Sequence, residues 1–366
     1  MVPMNAFGRE PEELVVAQCR AMQRVLRSGW WILGAEVEAF ETEWSTYCGC
    51  ARAVGVGNGM DALEIGLRVL GIGPGDEVIT TPMTAFATVL AILRGGATPV
   101  LADIDPATAI LDLASVSRCV TPRTRAVLVV HLYGQAAPLE ALVDFCTERG
   151  LELIEDCAQA HGAKWNGRPV GGYGRVAGWS FYPTKNLGTM GDGGALTTNS
   201  VDLAEAAAKL RNYGQSVRYE HPEIGMNSRL DEVHAAILRE RLIHLPAWTE
   251  RRRINARRYE AEISNPLVEV LPLPTEPERH VHHLCVVTSP HRAELSAALS
   301  ESGIESLIHY PIPIHRQASC RGVHTDPDGL PQAEAHAATC LSVPCNPFLS
   351  EDEVTQVIAS INNFKP

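Results

Sequence analysis

The chain is poor in lysine and carries no excess of positive charge. Its 31 basic residues include only four lysines, Lys164, Lys185, Lys209 and Lys365, and its formal net charge is −12 at pH 7. A broad surface for nucleic acid is therefore not expected, because such surfaces are strongly basic. An anionic ligand would need a local pocket, and any chemistry that depends on a lysine amine has four candidates.

Long apolar runs, a secretion signal and a metal-binding pattern are also missing from the sequence. No run reaches the roughly 20 apolar residues that span a bilayer, and the start MVPMNAFGREPEELV lacks the apolar core of a signal peptide. We therefore expect a cytoplasmic protein with no membrane partner. Among the 10 cysteines only Cys48 and Cys50 form a close pair, without a second pair at zinc-finger spacing. No metal site is predicted, and the thiols are expected to be reduced.

Short apolar runs alternate with helical patterns between about residues 52 and 200. Seven of these runs are predicted strands: Ala53–Gly57, Glu77–Thr81, Thr98–Ala102, Ala126–His131, Leu151–Glu155, Gly178–Tyr182 and Ala195–Thr198. Strands that alternate with helices predict an α/β fold with a mostly parallel seven-stranded sheet between helices.

The pattern changes in the last third of the chain. Residues 229–262 are predicted to form a long helix that Pro246 kinks or interrupts. A mixed pattern follows, with a further strand predicted at Ile304–His309. We therefore predict a large domain over residues 1–245 and a smaller C-terminal α+β domain over residues 246–366.

An apolar strand that ends in two acids is the first candidate for chemistry. The run LELIED ends at Asp156, and ligands of a sheet flanked by helices lie beyond the carboxyl ends of its strands. A lone aspartate at such a position is more often a helix N-cap. Gln159 and His161 follow in the same short turn, however, which places several hydrogen-bonding groups together.

Lys185 is the only lysine in a position typical of a ligand site. The run GWSFYPTKNLG carries it from an apolar strand into a glycine-rich turn, where the backbone can approach a ligand closely. The other three lie on an amphipathic helix, in a polar turn and next to the C-terminus. A lysine that is partly desolvated has a lowered pKa and becomes nucleophilic toward carbonyls.

The run GVGNGMDAL predicts a strand, a glycine turn and the start of a helix. Free N–H groups at such a helix start bind phosphate well. The run has neither the G-K-[ST] of a P-loop nor a complete G-x-G-x-x-G, so the signal is compatible with any phosphate ligand or with a plain turn.

Taken in order, these segments resemble the DegT/DnrJ-type family of nucleotide-sugar aminotransferases, which depend on pyridoxal phosphate (PLP) and have the aspartate aminotransferase-like fold, fold type I. The resemblance covers nearly the whole chain. Nine motifs carry it: SGWWILGAEVEAFE (28–41), GNGMDAL (57–63), GIGPGDEVI (71–79), VHLYGQ (130–135), IEDCAQAHGA (154–163), SFYPTKNLG (180–188), GDGGA (191–195), GMNSRLDE (225–232) and HYPIPIHRQ (309–317).

The resemblance implies a role for each residue around the cofactor ring. Lys185 would hold PLP as a Schiff base and, once released, move a proton between cofactor and substrate carbons. Asp156 would pair with the pyridinium nitrogen, so that the ring acts as an electron sink. Gln159 would bond the ring hydroxyl oxygen.

The resemblance also implies a phosphate site that two subunits share. Ser180 and the backbone at Gly59 and Met60 would hold the phosphate. Asn227 and Arg229 would reach it from a partner subunit, which makes a homodimer with shared active sites the expected unit.

On the substrate side, His315, Tyr310 and Tyr182 match positions that face the sugar in the family. Trp30 and Trp31 lie in a segment that lines the entrance in relatives. Ordinary packing is an even alternative for the aromatic residues in this group.

Two departures from the family pattern concern the cofactor. Met60 replaces the usual serine or threonine, so any phosphate contact there would rest on backbone N–H groups. The segment TAFAT has Ala85 where the family places the aromatic that stacks on the ring, with Phe86 one residue later. The stacking residue is therefore left unassigned.

The expected reaction is transfer of an amino group, from L-glutamate through the pyridoxamine phosphate form, to a nucleotide-linked keto sugar. A dTDP-3-keto-6-deoxyhexose is favoured over a nucleotide-4-keto sugar, and an aminocyclitol ketone is a further alternative. Related dehydratases have histidine in place of Lys185, which argues against that branch. A non-catalytic PLP-binding regulatory protein is the alternative from a different class.

Overall fold

The computed structural model describes residues 1–366 and contains twelve α-helices. None combines the length and the apolar character that crossing a bilayer requires. The helices are α1 (Glu12–Ser28), α2 (Ala35–Cys48), α3 (Gly59–Val69), α4 (Phe86–Arg94), α5 (Leu113–Cys119), α6 (Leu139–Arg149), α7 (Val201–Leu210), α8 (Glu232–Leu242), α9 (Leu245–Glu262), α10 (Arg292–Glu301), α11 (Pro331–Thr339) and α12 (Glu351–Asn363).

Thirteen strands form one large sheet and two small ones. The strands are β1 (Arg52–Val56), β2 (Glu77–Thr80), β3 (Thr98–Leu101), β4 (Thr124–Val130), β5 (Glu152–Asp156), β6 (Lys164–Trp165), β7 (Arg168–Pro169), β8 (Val176–Ser180), β9 (Gly194–Thr198), β10 (Glu269–Val270), β11 (Cys285–Thr288), β12 (His324–Thr325) and β13 (Cys340–Val343).

The large sheet has eight strands in the order β1-β9-β8-β5-β4-β2-β3-β12. Only β9 runs against its neighbours, β1 and β8, so the predicted mostly parallel sheet is confirmed. All seven predicted strands are present. The eighth, β12, comes from the C-terminal third and pairs in parallel with β3 through His324–Val100 and Thr325–Leu101.

Helices cover both faces of this sheet, which is why its strands are apolar throughout rather than alternating. Strand β2 is buried at every position, and β4 at all but one. Helix α3 packs directly on β8 and β9. Its approach depends on Gly178, since a Cβ there would lie 2.7 Å from Leu63 Cδ2. The close contact fixes the start of α3 near the end of β8.

A second hydrophobic core of 18 residues lies around the sheet β10-β11-β13. It is built mainly from residues after Ala256, although Val2 also belongs to it.

The predicted strand Ile304–His309 is not formed as a strand. Ile304 and Leu307 instead make isolated bridges, to Val2 and to Ser342, because two different segments flank this stretch.

The predicted long helix is interrupted close to Pro246. Helix α8 ends at Leu242 and α9 begins at Leu245. Pro246 lies in the first turn of α9, where the missing N–H would have no helical partner in any case. The proline therefore starts a new helix rather than kinking a continuous one.

Candidate active site

Asp156 is buried at the carboxyl end of β5, as the strand pattern predicts. One carboxylate oxygen accepts a 2.8 Å hydrogen bond from Thr88 Oγ1, and the other accepts one of 3.1 Å from the Ala158 N–H. Burial raises the pKa of Asp156, while both hydrogen bonds and the nearby Lys185 charge oppose that rise. The acid thus stands in a dry site and is held in one orientation.

Lys185 lies in the turn after β8, close enough to Asp156 for their charges to interact. Burial lowers the pKa of Lys185 to about 8, against a smaller effect of Asp156 in the opposite direction. The turn needs Gly188, where a Cβ would lie 2.5 Å from the Pro183 carbonyl oxygen. A lysine in this state supplies a neutral amine near physiological pH, as attack on a carbonyl requires.

The start of α3 forms a cradle beside Ser180. Asn58 caps the helix by accepting a 2.9 Å hydrogen bond from the Asp61 N–H. The N–H groups of Gly59 and Met60 have no partner within the chain. A Cβ at Gly59 would lie 2.8 Å from Ser180 Cβ, so only glycine leaves this space open. Free N–H groups, a helix N-terminus and a serine hydroxyl together suit a phosphate group.

Gln159 is buried in the turn after β5 and forms hydrogen bonds with two neighbouring tyrosine residues. Its Oε1 accepts a 2.6 Å hydrogen bond from the Tyr133 N–H, and its Nε2 donates one of 3.2 Å to Tyr310 Oη. Burial raises the pKa of Tyr310 to about 12, so its hydroxyl stays protonated. The structure therefore brings Tyr310 to the cofactor side, next to Gln159.

His161 packs among aromatic rings instead of joining this set. It is fully buried against Trp44, Trp179 and Phe181, and neither ring nitrogen has a hydrogen-bond partner. Burial, helped by the Lys185 charge, lowers the pKa of His161 to about 3, so the ring is neutral. Of the groups in this turn, Asp156 and Gln159 point to chemistry and His161 to packing.

The residues expected to serve a partner's site lie on the surface of the protomer. Asn227 is exposed, and Arg229 Nη1 donates a 3.0 Å hydrogen bond to Asn212 Oδ1. Trp30 and Trp31 are 63% and 60% exposed. The two tryptophans belong to the segment expected at the entrance, and the segment of Asn227 and Arg229 lies beside the start of α3, where Ser228 Oγ accepts a 2.9 Å hydrogen bond from the Gly57 N–H.

The remaining substrate-side candidates are more scattered. Tyr182 is 50% exposed, three residues before Lys185. His315 Nε2 lies 2.9 Å from Glu334 Oε1, and no hydrogen bond from His315 reaches the residues around Lys185. Ala85 is the N-cap of α4 and Phe86 its first residue, so the aromatic is shifted by one position within the helix start.

Sequence analysis missed two residues of the site. Thr88 orients Asp156, and the Tyr133 backbone orients Gln159. Both lie in segments quoted as family motifs, TAFAT and VHLYGQ. Thr84 and Thr88 are four residues apart in the sequence, a spacing that brings side chains together on a helix. In the structure their hydroxyls are 2.7 Å apart.

One buried group has the composition of a metal site but not its chemistry. Ligand atoms of His131, Glu155 and Cys157 lie within 4.8 Å of one another. Both nitrogens of His131 are already engaged, one with the Ala137 N–H at 3.0 Å and one with Glu155 at 3.1 Å. The remaining Glu155 contacts are to backbone N–H groups: those of Gly171, Tyr173 and Gly174. The cluster is a hydrogen-bond network that fixes the end of β5.

The residues around Lys185 fit PLP. The chain offers an amine with a lowered pKa, a buried acid for the ring nitrogen and a cradle with unpartnered N–H groups for the phosphate. These groups come from the ends of β5 and β8 and from the start of α3, which follows β1, and they meet at the sheet edge where α/β folds bind ligands.

Comparison with known proteins agrees with this geometry. The sequence model of the DegT/DnrJ/EryC1/StrS aminotransferase family matches residues 13–362. The chain belongs to this family. It is therefore an aminotransferase.

Two relatives and one solved structure illustrate the family's range. The chain is 44% identical to the dTDP-3-amino-3,4,6-trideoxy-alpha-D-glucose transaminase of Streptomyces venezuelae, over 99% of this chain and 96% of the relative. It is 42% identical to a protein of Geobacillus stearothermophilus named a pleiotropic regulatory protein, over 99% and 98% of the two chains. The crystal structure of S. venezuelae DesV in complex with a ketimine intermediate superposes with a TM-score of 0.95 at 43% identity, covering 99% and 97%.

Proposed function

We propose that this aminotransferase uses PLP to move an amino group from L-glutamate to the 3-keto group of a dTDP-linked 3-keto-6-deoxyhexose, in amino-sugar biosynthesis. The observation that carries the proposal is the pairing of Lys185, whose pKa is lowered to about 8, with the buried Asp156. The choice of substrate is supported by the 44% identity to the S. venezuelae enzyme, whose name specifies a dTDP-3-amino sugar.

Each residue of the site has a task in this reaction. When bound, the cofactor supplies an electron sink and carries the amino group in its pyridoxamine phosphate form between donor and acceptor. The Lys185 amine would hold the cofactor and then move a proton at its Nζ. Asp156 would hold the proton on the ring nitrogen, and Thr88 would keep the carboxylate in place. Gln159 would turn one amide N–H toward the ring hydroxyl.

The phosphate would lie at the start of α3. The free N–H groups of Gly59 and Met60 and the hydroxyl of Ser180 supply donors from one chain. We infer that Asn227 and Arg229 of a second copy complete the site, so that the working unit is a homodimer. The exposure of Asn227 supports this inference, as does that of Trp30 and Trp31 in the entrance segment.

Substrate contacts are proposed for Tyr310, His315 and Tyr182. Tyr310 is the best supported, because its hydroxyl is tied to Gln159 at 3.2 Å. A cytoplasmic location is supported by the ten cysteines, all of them free thiols.

Residues 1–245 and 246–366 are proposed as the two domains. The separate core around β11 supports this division, although Val2 and β12 each cross it.

The reaction is tested by incubating purified, PLP-loaded protein with L-glutamate and separate ketones. The panel contains a dTDP-3-keto-6-deoxyhexose, a dTDP-4-keto-6-deoxyhexose, the UDP-linked counterparts and an aminocyclitol ketone, with product NMR to place the new amine. We expect 2-oxoglutarate and a 3-amino product from the first. Amination of only the 4-keto sugar or the aminocyclitol would redirect the substrate assignment. Protein that shows no cofactor absorbance after purification with added PLP would contradict the whole proposal.

A regulatory role is the second candidate, because one relative at 42% identity carries a regulatory name. The two functions differ in turnover. An enzyme forms many equivalents of amino sugar per site, whereas a sensor converts at most the amino group that it already holds. Counting product per Lys185 site in the same assay separates them.

A further inference from the structure

A cleft of about 300 Å³ lies away from Lys185, between the end of α2 and the start of α9. None of the residues placed around the cofactor lines it. Its wall includes five side chains with hydrogen-bonding or charged groups: Tyr47, Lys164, Thr249, Arg253 and Glu278. At this size it holds a small organic molecule and not only water.

Thr249 has an unused hydroxyl in the wall of this cleft. The residue is 4% exposed, and its Oγ1 is buried without a hydrogen-bond partner. Helical threonines can bond back to the preceding turn, and this one does not, so its hydroxyl is buried and unpaired at a cost that a hydrogen-bonding ligand would relieve. Tyr47 adds a second hydroxyl with no partner, and burial raises its pKa to about 12, so it remains a donor.

Two positively charged residues, Arg253 and Lys164, also line the cleft. Arg253 Nε donates a 3.0 Å hydrogen bond to the His280 carbonyl, while its terminal nitrogens come no closer than 3.9 Å to the nearest acid, Glu250. Burial lowers the pKa of Arg253, which shows how poorly its charge is solvated. Lys164 is an exposed residue of the same wall. Glu278 is the only acid in the wall.

We propose that this cleft binds a free α-amino acid. Two cations and two hydroxyl donors match the carboxylate, and the single acid, Glu278, matches the ammonium group. Inorganic phosphate would satisfy the donors but would leave Glu278 facing an anion. A neutral apolar molecule would leave every one of these polar groups unpaired.

The cleft touches the cofactor site through one turn of the chain. Gly162 and Ala163 line it, and they follow Asp156 and Gln159 in the same segment. A Cβ at Gly162 would lie 2.6 Å from Tyr47 Oη, so this hydroxyl sits directly against the turn. An amino acid bound here therefore contacts the segment that carries the ring-binding acid.

Isothermal titration with the twenty amino acids and with inorganic phosphate tests the site in the PLP-loaded protein. Because an amino donor also enters the active site, the variants decide where binding occurs. Lys164→Ala and Thr249→Val are each expected to weaken cleft binding about tenfold, the effect of one lost charge-assisted contact. Lys209→Ala, at an exposed lysine on α7, serves as the control and is expected to leave cleft binding unchanged.

The isosteric Thr249→Val change keeps the shape of the cleft, and its melting temperature is measured beside the native protein to confirm folding. Binding of an amino acid that both cleft variants weaken and Lys209→Ala preserves supports the proposal. It is overturned if no amino acid binds outside the Lys185 site, or if phosphate alone binds with this dependence.

Discussion

The hydroxyl of Thr88 donates a 2.8 Å hydrogen bond to the buried carboxylate of Asp156. Thr88 itself lies 2.7 Å from the Thr84 hydroxyl, so a short chain of hydroxyls from the start of α4 supports the acid. Burial alone would favour the neutral form of Asp156, and this hydrogen bond counters that effect. The orientation and the charge of the acid thus depend on a residue that does not itself carry the proposed chemistry.

Thr88→Val keeps the shape of the residue and removes the donor. We expect the pKa of Asp156 to rise further and PLP affinity to fall about tenfold, since a hydrogen bond to a charged group contributes roughly 1.5 kcal/mol. A PLP titration followed by absorbance measures the effect. Thr88→Ser, which keeps the hydroxyl, should bind as the native protein does, and equal loss in both variants would assign Thr88 a packing role only.

The amine of Lys185 should become reactive at unusually low pH. Because its pKa is lowered to about 8, half of the amines are neutral there, and reactivity should rise toward pH 8 and level off above it. Labelling of cofactor-free protein with an amine-specific reagent, read by peptide mass spectrometry, gives the profile. Exposed Lys209 in the same sample corrects for loss of reagent. A midpoint for Lys185 near 10.5 would show that burial does not act as described.

Gly59→Ala tests the phosphate cradle. The new Cβ would lie 2.8 Å from Ser180 Cβ, so the cradle must widen or lose its donors. PLP binding should weaken by at least tenfold, whereas pyridoxal, which has no phosphate, should bind unchanged. Gly8→Ala is the matched control, because a Cβ there meets nothing within 4 Å. If both ligands weakened equally, the glycine would serve the fold rather than the phosphate.

Shared active sites can be shown by complementation between two inactive variants. Lys185→Ala removes the amine, and in the proposed homodimer Asn227→Asp would place a carboxylate against the phosphate of the neighbouring subunit. Co-expressed in equal amounts, they form mixed dimers in half of the population, and each mixed dimer has one intact site of two. About a quarter of native activity should return.

The complementation has a built-in control. Each variant expressed alone should be inactive or nearly so, and mixing them without subunit exchange should restore nothing. If co-expression also restored nothing although mixed dimers form, Asn227 would act within its own chain.

The sequence was most informative where one pattern had one physical meaning. Seven buried strands, the turn at Lys185 and the acid at the end of β5 all follow from apolar runs and glycine positions. The eighth strand, β12, could not be predicted, because it is only two residues long. It forms by pairing with β3, which is distant in the sequence. The prediction of a strand at Ile304–His309 was wrong for a related reason. Residues that favour strands form one only where a neighbouring strand is available to pair with them.

Within the site, the positions of Lys185 and Asp156 could be predicted from the sequence, whereas the hydrogen-bond partners of the site residues could not. Lys185 could be selected among four lysines by its local context. The Thr88–Asp156 hydrogen bond joins residues 68 positions apart, and no local pattern specifies such a contact. The Gln159–Tyr310 contact spans 151 positions and depends on how the C-terminal third packs against the sheet.

The place of Val2 in the second core has a consequence for synthesis of the chain. The second residue bonds to Gly303 at 2.7 Å, and the Met4 N–H donates to Glu305, 301 residues later. At the roughly 5–20 residues per second of translation, the segment around Val2 waits about 15–60 s until residues 303–305 have been made. During that interval Val2 lacks the partner that holds it in the second core, so this core can close only after strands β1 to β11 have been synthesised.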